Sequence, residues 1–551
     1  MEANKEIFNQ FDSILSVTQK TINDQFENLT GKGLPIHPSF GLVQKVDSQQ
    51  NYTYELIDKL PDDPQNSCFV GNILPKISIL ESGQAVLFNI QFTSGTAYFW
   101  EGLGRNAVLK SYDMTGWVYA ANVNLDMKGL QLDEAGNNHQ IMLPGNTENQ
   151  QVLIDEKALE KLTEFEAKNY SINCLFANFE NTKLWDTNVV ASNAGESGDT
   201  GLKQLISFMS FYVRNLRKIN NGNPYVFGYF PEVKPVSPNP NIPPILQACG
   251  VTYSCFKDKT ADQSTLNYLL VTSGGKKTVP PGSFVFPENW IQTPDVHAKM
   301  IYSQHNILEK YIFRPLYTQL QNEVYSKIRS AVGAPIGNTY DQAVSQTPTG
   351  LHFLISNWRT EHEAYVNQFT VDFSQSEGKL YLTFKGLINL TAYDDVSVLF
   401  VKGSVTDVSA TGWEKQVVIS VQKDTTSKLL PQPDVLHFDT SQPAVITMKD
   451  HNRSFSGPMG ELTKYLEKFL NVLDSVLHFL HLDFLDFLTN LFRDLFDLNT
   501  KNVSIDSIGA HLGSTTKNSI VLPGGKNFFI KSPNSYPYGA LSTELTYKAI
   551  S

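Results

Sequence analysis

A chain of 551 residues with 41% hydrophobic and 18% charged residues is globular in composition and long enough for more than one core. Its net charge of -11 argues against nucleic acid, which needs concentrated Lys and Arg, and against purely electrostatic adsorption to anionic lipid. Cys68, Cys174, Cys249 and Cys255 lack Cys-x-x-Cys spacing and fit free core thiols better than a disulfide framework or a zinc site.

The start, MEANKEIFNQ, has no basic segment leading into an apolar run, and no apolar stretch reaches spanning length. The expectation is a soluble chain made in the cytoplasm without a signal peptide, its release from the cell left open. On that reading the sequons at Asn51 and Asn389 are chance matches. Apolar residues from Ile7 to Leu29 recur at helical spacing before Gly31 and Gly33, and predict an amphipathic helix. From Asn51 the period becomes two, and YTYEL, AVLFNIQF, TAYFW and GWVYAANVNLDM predict an antiparallel meander. Asp155 to Lys168 and Leu202 to Lys218 read as helices. Pro231 to Pro244 reads as an extended surface loop, because each Pro removes a backbone donor. VTYSCF and NYLLVT then continue as strands.

At Val296 the plan restarts. Val296 to Ser330 predicts a second long amphipathic helix, kinked near Pro315. A second meander follows: FTVDFS, KLYLTFKGLINL, VSVLFVKGSV, KQVVISVQK and AVITM. Thr115-Gly116-Trp117 and Thr411-Gly412-Trp413 sit at similar places in the two halves and support an internal duplication. Glu461 to Asn499 contains no Gly or Pro and carries Leu and Phe every three or four residues over about 55 Å of helix. FFIK and STELTYKAI close the chain as strands.

Something long must cover the helix of 461–499. Its aspartates, Asp474, Asp483, Asp486, Asp494 and Asp497, make a bilayer costly, and the chain has too few partner helices for a bundle, so a sheet is the expected cover. Leu480, Phe484, Phe487, Leu488 and Leu491 are the candidate ligand-binding residues on its apolar face.

No catalytic constellation survives inspection. His362-Glu363 lacks the second imidazole of a zinc-protease motif, and His478 with His481 sits among Leu and Phe. Gly274-Gly275-Lys276-Lys277-Thr278 lacks the first Gly of a phosphate loop, and Gly195-Glu196-Ser197-Gly198 has no strand leading into it. Asp394-Asp395 is an acidic turn, since adjacent residues point apart. We therefore expect no enzyme, no cofactor and no metal.

The order of long helix then meander, repeated, resembles the tubular lipid-binding (TULIP) superfamily. GWVYAANVNLDM, NPYVFGYF, STLNYLLVTSGG and FPENW resemble the forty-seven-kilodalton and open-reading-frame-X companion proteins of clostridial neurotoxin gene clusters. The resemblance implies an α+β fold of two TULIP-like modules, residues 1–295 and 296–551, each a long amphipathic helix wrapped by a curved antiparallel sheet. It implies binding of a lipid or fatty acid, partners among toxin-cluster proteins, and an accessory role in a bacterial toxin or insecticidal system. The alternatives are an assembly protein with a dry core, a membrane-active toxin whose last helix swings out at low pH, and, last, an enzyme.

Overall fold

The computed structural model describes the chain apart from residues 1–9, 131–139, 143–150, 155–157, 160–161, 163–169, 180–184, 217–221, 234–247, 273–285, 321–340, 357–361, 424–433, 458–466, 497–519, 537–539 and 547–551, and positions 50, 82, 103, 287, 315, 348–349, 399–400, 468–469, 472–473 and 525–527. It divides into two compact units, one of Met1–Met300 with Thr515–Phe529 and Leu545–Ser551, the other of Ile301–Ser514 with Ile530–Glu544.

The first unit contains β1 (Ser13–Thr18), α1 (Gln19–Asn28), β2 (Ser39–Val46), β3 (Tyr52–Ile57), β4 (Cys68–Ile79), β5 (Ala85–Glu101), β6 (Val108–Asp113), β7 (Val118–Leu130), β8 (Gln140–Met142), β9 (Gln151–Leu153), β10 (Tyr170–Ala177), β11 (Trp185–Thr187), α2 (Gly198–Arg214), β12 (Val226–Val233), β13 (Ala248–Phe256) and β14 (Thr265–Thr272). Its larger sheet runs β12-β10-β7-β5-β4-β2-β3, with β6 added to β5 and β11 to β7. Alternation explains these strands: in β4, Cys68, Phe69, Ile73, Ile77 and Ile79 are buried between exposed Asn72 and Lys76. α2 covers one region of the sheet, with Phe208 against Phe69 and Phe99 at 5.4 and 5.8 Å between ring centres and Tyr212 stacked on Phe40 at 4.1 Å. α1 places Phe26 against Phe88 and Phe227. α2 matches the predicted helix closely, and Leu205, Phe208, Met209, Tyr212 and Val213 form its buried side.

The predicted helix from Ile7 to Leu29 is corrected by β1, which is buried along its whole length and pairs antiparallel with β14 from Ser13↔Leu270 to Thr18↔Thr265. Thr18 ends the strand and caps α1, its Oγ1 accepting the Thr21 N–H at 3.2 Å. A strand buried on both faces carries apolar residues at both parities, and short windows of such a run imitate helical spacing. The same error recurs after Val296: β15 (Ala298–Tyr302) is a fully buried strand, followed by a π-helical stretch, Gln304–Phe313. The start of the predicted Pro loop is also corrected, since Pro231 lies in β12, an edge strand where a missing donor is tolerated. The remainder of that loop, most of the predicted helix from Asp155 to Lys168, and the Gly274–Thr278 turn lie outside the described residues.

The second unit is built on a sheet of β16 (Asp341–Thr347), β17 (Gly350–Ser356), β18 (His362–Ser376), β19 (Lys379–Val398), β20 (Val401–Lys423), β21 (Asp434–Asp439) and β22 (Val445–Ser456), in order β16-β17-β18-β19-β20-β21 with β22 also on β20. Glu377 and Gly378, at φ 51° and 72°, form a two-residue turn whose left-handed backbone matches the strand twist between β18 and β19. β20 pairs with β19 along nearly its full length; its other edge is shared end to end by β22, from Ser404 to Glu414, and β21, from Val418 to Lys423. Residues 474–478 are helical, Phe479–Asp483 form a π-helical turn, and α3 (Phe484–Phe496) continues it. The chain ends in β23 (Phe529–Tyr536) and β24 (Ala540–Thr546).

The two-module α+β expectation is therefore overturned. The chain is mostly β, 55% strand against 22% helix, and among the described residues no long helix is wrapped by a sheet. The segment 474–496 lies with one side on the sheet and the other in solvent, exposing Asp474, His478, Asp483, Asp486, Asn490 and Arg493. The two Thr-Gly-Trp triplets also differ: Gly116 sits in a turn at φ 80°, whereas Gly412 lies inside β20 at a bulge.

Candidate functional site

The layer between 474–496 and the sheet of the second unit gathers the predicted ligand-binding residues. Leu480, Phe484, Leu488 and Leu491 are buried, while Phe487 is half-buried against Phe479 and Phe484 at 6.2 and 5.7 Å. Phe484 meets the Trp413 ring at 6.4 Å. Phe492, on the same helix face but not among the predicted set, packs on Phe384 and Trp413 at 5.0 and 6.3 Å. From the sheet, Phe369, Phe384, Ile388 and Leu390 complete the apolar lining.

Alternation along β20 brings Val405, Asp407, Ser409, Thr411, Trp413, Lys415, Val417 and Ile419 to one buried face. Trp413 fits because its cross-strand neighbour is Gly386: a Cβ there would stand 2.6 Å from three indole atoms. The middle of this face is polar. Ser409, Thr411 and Trp413 are 1%, 0% and 1% exposed, and their Oγ, Oγ1 and Nε1 atoms have no hydrogen-bond partner.

The charged ends of the stripe are held differently. Asp407, fully buried, accepts from Arg453 Nε at 2.6 Å and contacts His451 Nε2 at 3.0 Å. Arg453 Nη2 donates onward to Asp474 at 2.8 Å, tying β20 and β22 to the start of the helical segment. Burial alone would lower the Arg453 pKa, but its bonds to Asp474 and Asp407 outweigh this and hold it above the ordinary value. At the other end Lys415 Nζ donates to the backbone carbonyls of Thr440, at 2.7 Å, and Gln442. Burial pushes its pKa down, with Asp439 opposing.

The residues weighed for catalysis do not converge. His362 and Glu363 are consecutive in β18, a strand rather than the helix a zinc-protease motif requires. His478 is exposed, 3.6 Å from Asp483. Asp394 and Asp395 lie within β19 rather than in a turn. Among the described residues no group of three or more His, Cys, Asp or Glu could hold a metal, and no helix is long and apolar enough to cross a membrane. Helical spacing revealed the greasy half of the layer; the polar stripe on β20 escaped it.

Fold and site together define a mostly β chain of two units whose second unit encloses an apolar helix–sheet layer around a buried polar stripe. No family model matches the sequence, and no curated protein does. Among solved structures the chain is similar to the crystal structure of P47 of Clostridium botulinum E1, at 11% identity over 98% of this chain and 99% of that one, with a TM-score of 0.42. It is similar also to the crystal structure of lipopolysaccharide binding protein, at 10% identity over 98% and 100% of the two chains, with a TM-score of 0.25. At these values the likenesses carry no inference about function.

Proposed function

We propose that the chain is a non-enzymatic binding protein that holds a hydrophobic, lipid-like ligand between residues 474–496 and the inner face of β18–β20. The observation that supports this is the polar stripe of Ser409, Thr411 and Trp413, sealed without partners inside an apolar layer. Each such group costs about 1–3 kcal/mol of desolvation, a burden that a layer serving stability alone would shed by placing apolar residues there. Both hydroxyl oxygens are closed off from solvent, so a ligand enters by displacing the overlying helix turn. At Phe479–Asp483 that turn already departs from the α-helical ladder, as π-turns at functional sites often do.

The sequence resemblance adds an accessory role beside a toxin, with release from the cell and a protein partner from the same gene cluster. Native mass spectrometry of the purified chain, followed by organic extraction, tests the binding reading. A lipid-sized adduct is expected, together with saturable uptake of a fluorescent acyl probe. A bare mass and no uptake would leave the assembly role with a dry core.

A further inference from the structure

Which chemical group a ligand turns toward β20 is decided by the charges beside it. Ser409, Thr411 and Trp413 offer three donors on alternate residues of one strand, successive ones about 7 Å apart. Asp407 stands two residues before them and Lys415 two residues after, and both are committed. Asp407 is held by Arg453 and His451, Lys415 by the carbonyls of Thr440 and Gln442. Arg453 is engaged a second time by Asp474, and Lys449, across from Thr411, has contacts of its own. An anion placed at Ser409 would meet the buried carboxylate of Asp407. A buried charge without a dedicated counterion costs far more than a buried neutral acceptor.

Resting on the reading that this layer binds a ligand, we infer that the ligand's polar end is a neutral acceptor, the ester carbonyl of an acyl lipid. The Thr411 hydroxyl donates to it and the Ser409 hydroxyl to the next oxygen of the same neutral end, while the acyl chain runs along Phe384, Phe484, Leu488 and Phe492. A free fatty acid or an anionic headgroup at Ser409 is disfavoured by the buried carboxylate of Asp407.

Three fluorescent probes of equal chain length test this on the full-length protein: a monoacylglycerol, a fatty acid and an alkane. The monoacylglycerol is expected to bind about tenfold more tightly than either of the others, the worth of one to two hydrogen bonds. The variant Ser409→Ala/Thr411→Val is expected to bring the monoacylglycerol down to the affinity of the alkane for the same variant. If no probe binds, the layer is not a site and both readings fall. If the alkane binds but the fatty acid binds as well as or better than the monoacylglycerol, only the ester assignment falls. An unchanged monoacylglycerol affinity in the folded double variant overturns it too, leaving the hydroxyls to bound water. Should the variant misfold by circular dichroism, the ranking by the parent protein still decides, as does the lipid extracted from it: a neutral acyl ester supports the assignment, and a free fatty acid or phospholipid overturns it.

Discussion

Gly386→Ala is the sharpest probe of the layer in the second unit. The added Cβ would lie 2.6 Å from Cε2, Cζ2 and Nε1 of Trp413, well inside contact distance. The indole has little freedom to yield, for it is buried and touched by Phe369, Phe484 and Phe492 with ring centres 6.1, 6.4 and 6.3 Å away. Gly386 does not occupy the left-handed region, so alanine carries no backbone penalty, and in a strand interior it would otherwise gain about 0.5–1 kcal/mol. Overpacking a filled interior costs about 1–3 kcal/mol, which outweighs that gain and leaves a net loss of about 1–2 kcal/mol. For a unit of this size each kcal/mol lowers Tm by about 2–4 °C. Calorimetry on the variant should therefore show a lower transition, while Gly250→Ala, whose Cβ would meet only Val271 at 3.9 Å, should not. In a Trp413→Leu background the clash disappears and Gly386→Ala should become neutral or stabilising. A Gly386→Ala protein as stable as the parent would refute the packing described for Trp413.

Arg453→Met strips Asp407 of its principal partner and should cost about 3 kcal/mol by urea denaturation, part of it recovered by adding Asp407→Asn. Leu488→Trp should reduce acyl-probe uptake with modest loss of stability; a dry layer would instead show about 1–3 kcal/mol of destabilisation and no uptake by the parent. Alanine at His362, Glu363, His478 or His481 should leave uptake within a few-fold, and a fall beyond about a hundredfold, about 2.7 kcal/mol, in a folded variant would assign that residue a binding or chemical role. Desolvation pushes the Cys68 and Cys255 thiols up to about 11 and about 12, and raises those of Cys174 and Cys249 as well. Burial shields Cys68, Cys174 and Cys255, so Cys249, only partly buried, should react first with a thiol reagent, and all four after unfolding.

The strands with one buried face were legible because their period is two: KLYLTFKGLINL falls within β19, and GWVYAANVNLDM from Val118 onward within β7. β1 and β15 were not, since burial on both faces removes the alternation that distinguishes a strand from a turn or two of helix. VSVLFVKGSV read as one strand but contains the reversal between β19 and β20, where Val398 pairs with Val401 and no Gly or Pro marks the turn. At the site, Leu480, Phe484, Leu488 and Leu491 followed from helical spacing alone. The inner face of β20 could not be chosen in advance: between 404 and 416 one parity reads Val, Asp, Ser, Thr, Trp, Lys and the other Ser, Thr, Val, Ala, Gly, Glu, Gln. Neither is apolar, and the parity holding the exposed Val408 is the outer one.

The pairing of β1 with β14 sets a schedule for the nascent chain. Ser13 finds Leu270 only after more than 250 further residues have been made. At about 5–20 residues per second this is a delay of roughly 13–50 s, during which a fully apolar-flanked strand has no ladder to join. Its unpaired edge is an aggregation hazard for that whole interval. A ribosome-bound chain ending before Thr265 should therefore recruit holding chaperones through Ser13–Thr18, and one extended far enough past Thr272 for β14 to emerge from the ribosome should release them.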